Sequence, residues 1–260
     1  MSRIISVHSY KGGCGKTLVA INLAYKLSQN YRVLLIEADF LMPCFFQIFP
    51  STSIRKYYND FYSDSQVPLR ECIVQGSFDN LDIIYSSPEY NPVDKIYTMD
   101  QKWHLNRLKA LMKQIGEITP QYDYILMDTP SGRNFVAISN LILSHLVIVV
   151  IRPTDYSALG TKLMLEEVYQ KTKPETLLPC FLIFNQVPSP ESREMEDKLK
   201  TWITQFNVNQ SIKKTINIPL FMKTALNVAL GKVILLEDDP FSKYLDSICA
   251  DILNLFEEDH

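Results

Sequence analysis

Short apolar runs, most of them closed by a polar or acidic turn, alternate along the chain with longer stretches whose apolar residues recur at helical spacing. The runs are Arg3–Ser9, Arg32–Ile36, Tyr124–Met127, Leu146–Ile151, Cys180–Phe184 and a shorter Ile216–Leu220. Rich in Val and Ile and bounded by turn residues, they read as strands. Between them, Leu18–Leu27 sets Val19, Ile21, Leu23 and Leu27 among polar residues, and Lys102–Ile115, Ala158–Lys171, Ser192–Phe206 and Pro240–Leu255 carry similar patterns. Strand alternating with helix predicts an α/β fold: a doubly wound, mostly parallel sheet with helices on both faces. With 260 residues, 47% hydrophobic, and no linker rich in Pro, Gly or Ser, residues 1–260 are expected to form one domain around one core.

The first strand runs into Lys11-Gly12-Gly13-Cys14-Gly15-Lys16-Thr17 and then a helix. Glycines at 12, 13 and 15 let successive backbone N–H groups turn into one anion-binding hollow. Lys16 would reach the β/γ-phosphates of a nucleoside triphosphate, and the Thr17 hydroxyl would ligate Mg2+ at a helix N-terminus that favours negative charge. Two further strands end in acids, the second in Glu37 and Asp39, the third in Asp128. Ligands of open α/β sheets gather at carboxyl ends of strands, so these acids are expected to face the phosphate loop. His8, with no carboxylate or second histidine beside it in sequence, reads as a core or sheet-end residue.

Tyr10 stands where the strict pattern has its first glycine, and Lys11 where an ordinary P-loop has a neutral residue. The extra lysine makes this the deviant P-loop of the MinD/ParA superfamily, which the chain resembles over nearly its whole length, most thinly from Phe49 to Asp79. Asp128-Thr129-Pro130-Ser131-Gly132 is similar to the family's Asp-Thr-Pro-x-Gly, its Walker B and switch II element. The resemblance implies that Lys11 reaches the phosphates of a partner's nucleotide, so that two chains sandwich ATP as a homodimer. It implies that Asp39 is the switch I acid that orients or deprotonates the attacking water; Glu37, where the family has Asp, is left without a defined role. Cys14 and Leu18 complete the loop around the nucleotide, Mg2+ falls to Thr17, Asp39 and Asp128, Asn185 reads the adenine and Pro219 packs on it. The implied function is an ATP-dependent dimerisation switch that hydrolyses ATP with Mg2+ to position or partition a cargo, DNA or a protein complex, with a protein partner or activator. Two alternatives stand beside it: a localisation scaffold that binds nucleotide with little turnover, and an ATP-dependent ligase related to dethiobiotin synthetase, against which Lys11 argues.

Cys14, Cys44, Cys72, Cys180 and Cys249 include no Cys-x-x-Cys pair, which sets aside iron–sulfur and zinc chemistry and suits a reducing cytoplasm. Leu245, Ile248, Ile252, Leu253 and Phe256 form an apolar helical face, but the end of the chain is acidic, with Asp251, Glu257, Glu258 and Asp259. Docking on the sheet is the expected use of that face, and stable membrane anchoring is not expected. Net charge is −3, so nonspecific DNA binding rests on one cluster, Arg193, Lys198, Lys200, Lys213 and Lys214, against which stands a solvated helix face. The aromatic stretch Phe40–Tyr62 has two readings, core or a partner surface beside switch I. Arg133 has two as well, a solvated arginine or a phosphate or partner contact.

Overall fold

The apolar runs become the middle of an eight-stranded sheet in the computed structural model, which describes residues 2–89, 96–169, 178–188, 191–206, 211–234 and 238–257. Its strands are β1 (Arg3–His8), β2 (Val33–Glu37), β3 (Ile73–Gln75), β4 (Leu81–Ile84), β5 (Tyr124–Asp128), β6 (Leu146–Ile151), β7 (Cys180–Val187) and β8 (Ile212–Pro219). They lie in the order β3-β4-β2-β5-β1-β6-β7-β8. Every pairing is parallel except β3 with β4. The connection from β1 leads towards β2 on one side, whereas β6, β7 and β8 extend to the other, so a topological switch point lies at the carboxyl end of β1.

The helices are α1 (Lys16–Ser28), α2 (Phe45–Ile48), α3 (Tyr58–Ser63), α4 (Gln101–Ile118), α5 (Phe135–Leu143), α6 (Asp155–Met164), α7 (Arg193–Phe206), α8 (Met222–Ala229) and α9 (Pro240–Glu257). Alternate strand residues face opposite layers, which is how runs that read as continuously apolar are covered twice. Ile5, Val7, Leu35 and Ile148 pack under α1 and α9. On the other face, Ile4, Leu34, Ile36 and Ile125 meet α3 and α4, while Val147, Val149, Leu182 and Phe184 meet α6 and α7.

Three differences from the sequence reading bear on function. The sequence reading includes neither the short strands β3 and β4 nor the helices α2, α3, α5 and α8. β8 begins at Ile212 rather than Ile216, which puts Lys213 and Lys214 in an edge strand. The helix expected over Ala158–Lys171 ends regularly at Met164 and continues as a π-helical turn, Leu165–Tyr169; Gln170 and Lys171 lie outside the described residues.

The aromatic stretch is largely core. Phe40, Phe45, Tyr58, Phe61 and Tyr62 are each at most 1% exposed, and Phe40 packs against the rings of Tyr58 and Tyr62. Leu41 and Met42 are the exceptions, at 54% and 76% exposed. The apolar face of α9 docks inward through Leu245, Ile248, Ile252 and Phe256. Among the described residues no helix is long and apolar enough to cross a membrane; Glu258, Asp259 and His260 lie outside them.

Candidate functional site

The turn from β1 into α1 forms the floor of the site. Gly13 (φ 76°) and Gly15 (φ 86°) occupy the left-handed region, where a β-carbon is strained. A β-carbon at Gly12 or Gly13 would meet nothing within 4 Å, so open space adjoins the loop there. Gly15 is also the N-cap of α1, and no side chain caps that end; its free N–H groups are available to an anion. Cys14 is buried and its thiol donates to Lys11 O at 3.1 Å, which tightens the turn.

Lys16, Thr17 and Asp128 converge above this floor. Lys16 Nζ lies 2.6 Å from Asp128 Oδ1 and 3.7 Å from Asp39 Oδ2. The Thr17 hydroxyl donates to Asp128 Oδ2 at 2.7 Å. Burial disfavours the Lys16 charge, but Asp128 and Asp39 outweigh it and hold its pKa above the ordinary lysine value. Asp39 is shifted upward by burial, with Lys16 opposing and Asp128 adding to the shift. A cavity of about 450 Å³ is lined by Gly12, Gly13, Lys16, Thr17 and Asp39 together with Ser9, Leu41, Met42, Pro130 and Ser131. One hydroxyl and two carboxylates near a lysine suit a magnesium–phosphate pair, since Mg2+ is commonly held by few protein oxygens with phosphate and water completing its shell.

Glu37, two residues from Asp39, faces away from this cavity. Its Oε1 accepts from the backbone N–H groups of Cys44 and Phe45, the latter at 2.8 Å, and its Oε2 from Ser86 N at 2.9 Å. It is 1% exposed, and burial pushes its carboxyl up to about 7 against those three donors. Glu37 therefore ties the end of the loop after β2 and the start of α2 to the segment that follows β4.

His8 joins the first strand to the loop after β5. The Thr129 hydroxyl donates to Val7 O at 2.8 Å, so it accepts from His8 Nδ1 at 2.7 Å. Full burial, with Lys16 nearby, lowers the imidazole to about 3, so it is neutral at working pH. That agrees with a sheet-end residue.

Lys11 is exposed and lies over the Tyr156 ring, 5.6 Å from its centroid, rather than lining its own chain's phosphate cavity. Tyr156 is 79% exposed, and Leu159 and Leu163 extend an exposed apolar face along α6. Arg133 pairs with Glu167. The basic cluster is divided: Lys198 pairs with Asp155, Lys200 with Glu196 and Lys214 with Asp251.

Asn185 and Pro219 line a second cavity, about 470 Å³, which shares Gly13 and Gly15 with the first and includes Leu18. The Asn185 side chain is turned to the loop: Nδ2 donates to Cys14 O at 2.9 Å and Oδ1 accepts from Gln186 N at 2.9 Å. Sequence reasoning gave no site role to Ser9, Leu41 or Gln186, and read Ser131 and Met42 only within their motif and aromatic stretch. The only signals for them were adjacency to motif residues and, for Gln186, a second amide following Asn185.

A family model described as an AAA domain matches residues 2–177. The chain is 26% identical over 261 residues to a virulence plasmid ParA family protein of Chlamydia psittaci, covering 96% of this chain and 91% of that one. It is 26% identical over 273 residues to a ParA family protein of Mycoplasma genitalium, covering 97% of each. Among solved structures, the ATP complex of a Cyanothece McdA variant superposes with a TM-score of 0.80 at 15% identity over 97% of this chain and 96% of that one. The cell division ATPase MinD of Pyrococcus furiosus gives 0.75 at 19% identity over 98% and 100%. At those identities the structural likeness speaks for the fold.

Proposed function

The chain belongs to the MinD/ParA family of P-loop ATPases, and from that premise we propose that it is an ATP-driven dimerisation switch that positions or partitions a cargo. The observation that carries this reading is the convergence of Lys16, Thr17 and Asp128, with Asp39 beside them, over a loop held open by Gly13 and Gly15.

Lys16 binds the terminal phosphates, and the N-terminus of α1 adds backbone donors. Thr17, Asp128 and Asp39 would hold Mg2+, which when bound neutralises phosphate charge and fixes phosphate orientation. Asp39, at the wall of the cavity beside Lys16, positions the attacking water. Catalysis of this kind works by placement and charge, with little covalent work for the protein. Lys11 reaches a second copy's nucleotide, a role supported by its exposed position over Tyr156, beside the exposed α6 face and away from its own chain's cavity. Leu41 and Met42 are exposed beside the phosphate cavity, as expected of a surface that changes with the nucleotide. The ion pairs of Lys198, Lys200 and Lys214 reduce the charge available for DNA, which favours a protein surface or activator as the dimer's partner.

Gel filtration with Mg·ATP, beside a phosphate-release assay, tests the reading. Wild type should dimerise and turn over ATP with no added small substrate, and Lys11→Ala should bind ATP yet stay monomeric. Tight binding without turnover would favour the scaffold, and turnover only with a small co-substrate the ligase.

A further inference from the structure

The 470 Å³ cavity is walled by apolar groups, among them Leu18, Pro219, Phe221, Ala225, Val228 and Phe241. Its side-chain polar lining comes from Asn185, Gln186 and Thr224. Two of those three are committed elsewhere. The Thr224 hydroxyl donates to Asp239 Oδ1 at 2.6 Å. Asn185 is 2% exposed, with its amide nitrogen on Cys14 O and its amide oxygen on Gln186 N. It sits so close beneath the loop that a β-carbon on Gly15 would lie 2.4 Å from Asn185 Nδ2. Moving this amide to a ligand would break two bonds and release the loop.

Gln186 differs. The β7–β8 register shifts between Phe184 and Val187, and within that irregularity Gln186 takes φ 61°, a left-handed conformation uncommon for a residue other than glycine. The Asn185 Oδ1 bond to its backbone N–H holds it there. Its side chain stands at the cavity, with Nε2 4.0 Å from the position of a Gly15 β-carbon, and among the described residues its amide has no hydrogen-bond partner. Strain of this kind persists where surrounding structure enforces it, often at a ligand site.

We infer that Gln186 is the specificity-determining residue for the base, and that Asn185 is a positioning residue for the phosphate loop. The inference rests on the nucleotide reading above. An amide offers one donor and one acceptor side by side, which matches the edge of adenine. Guanine presents two adjacent N–H donors on its Watson–Crick edge and is best met by a carboxylate; no Asp or Glu lines this cavity. Its amino group would be buried against apolar wall without an acceptor, which costs affinity.

Calorimetry with Mg2+ and, separately, ATP, GTP and inorganic tripolyphosphate tests this. Gln186→Gly removes the amide while easing the left-handed backbone, so folding is preserved. It should weaken ATP roughly tenfold, on the scale of one hydrogen bond, leave tripolyphosphate unchanged and narrow the ATP preference over GTP. Gln186→Glu should move that preference towards GTP. Asn185→Ala should weaken all three ligands by a similar factor. An unaltered ATP preference in Gln186→Gly, or a preference lost in Asn185→Ala while tripolyphosphate binding stays normal, would overturn the assignment. Wild type that binds none of the three would overturn the nucleotide reading itself, and the assignment with it.

Discussion

Glu37 and Asp39 are two acids on one strand end, and their surroundings give them separate work. Asp39 lies at the phosphate cavity beside Lys16. Glu37 is enclosed and holds three backbone N–H groups from two other segments. The extra methylene over aspartate gives the carboxylate added reach towards them. Its pH behaviour follows from the shift: burial raises the folded-state value from 4.5 to about 7, so between those values the folded protein binds a proton that the unfolded chain has released. Stability from this group is therefore complete at low pH and is lost as pH rises through about 7. A rise of that size corresponds to roughly 3 kcal/mol. Denaturant midpoints of wild type and Glu37→Gln between pH 5 and 8 check it. The wild-type curve should fall more steeply than the variant's, and parallel curves would show that Glu37 does not titrate in this window.

Among the elements, the most informative joint is between the phosphate loop and α6. The ring of Tyr10 fills the notch left by Gly160, where a β-carbon would lie 2.0 Å from the ring. A glycine in mid-helix otherwise weakens the helix by up to about 1 kcal/mol relative to alanine; here it makes room for a tyrosine in place of the usual loop glycine. Gly160→Ala should cost roughly 1–3 kcal/mol as overpacking. In a Tyr10→Ala background the same change should be neutral or stabilising, and a double-mutant cycle of unfolding free energies measures the coupling. Additive costs would mean that the two residues do not interlock.

The same scale separates what sequence could show from what it could not. β1, β2, β5, β6 and β7 were legible because strands covered on both faces need continuous apolar runs. β8 lies at the sheet edge and carries Lys213 and Lys214, so its first half reads as polar and the strand was seen only from Ile216. β3 and β4 have three and four residues, too few for a period to emerge. In α5, Phe-Val-Ala-Ile-Ser-Asn-Leu-Ile-Leu is apolar on nearly every side and shows no helical stripe. At the site, the loop and the acids were readable because their spacing carries the chemistry. The committed Asn185 and the available Gln186 were not, because that exchange depends on a local register shift between β7 and β8.

For the whole molecule, α9 decides whether the apolar residues near the end of the chain belong to a membrane surface or to the core. Leu245, Ile248 and Ile252 are fully buried, in one cluster with Val19, Ile21 and Leu23 of α1 and with Ile5 and Ile148 of the sheet. A helix bound to lipid would have to withdraw those side chains and open the layer that holds α1, and α1 begins at the phosphate loop. The cost of emptying even one such position argues for permanent docking: Leu245→Ala should destabilise the fold by about 2–5 kcal/mol. The docked face also leaves Asp246 and Asp251 to pair with Lys26 and Lys214, and neither acid favours an anionic surface. Two measurements follow. Thermal unfolding of Leu245→Ala should show the large loss expected of a core position, and sedimentation with anionic vesicles should leave wild type in the supernatant with ATP as without it. A near-neutral Leu245→Ala together with ATP-dependent pelleting would mean that α9 leaves the core, and that the switch acts on a membrane surface after all.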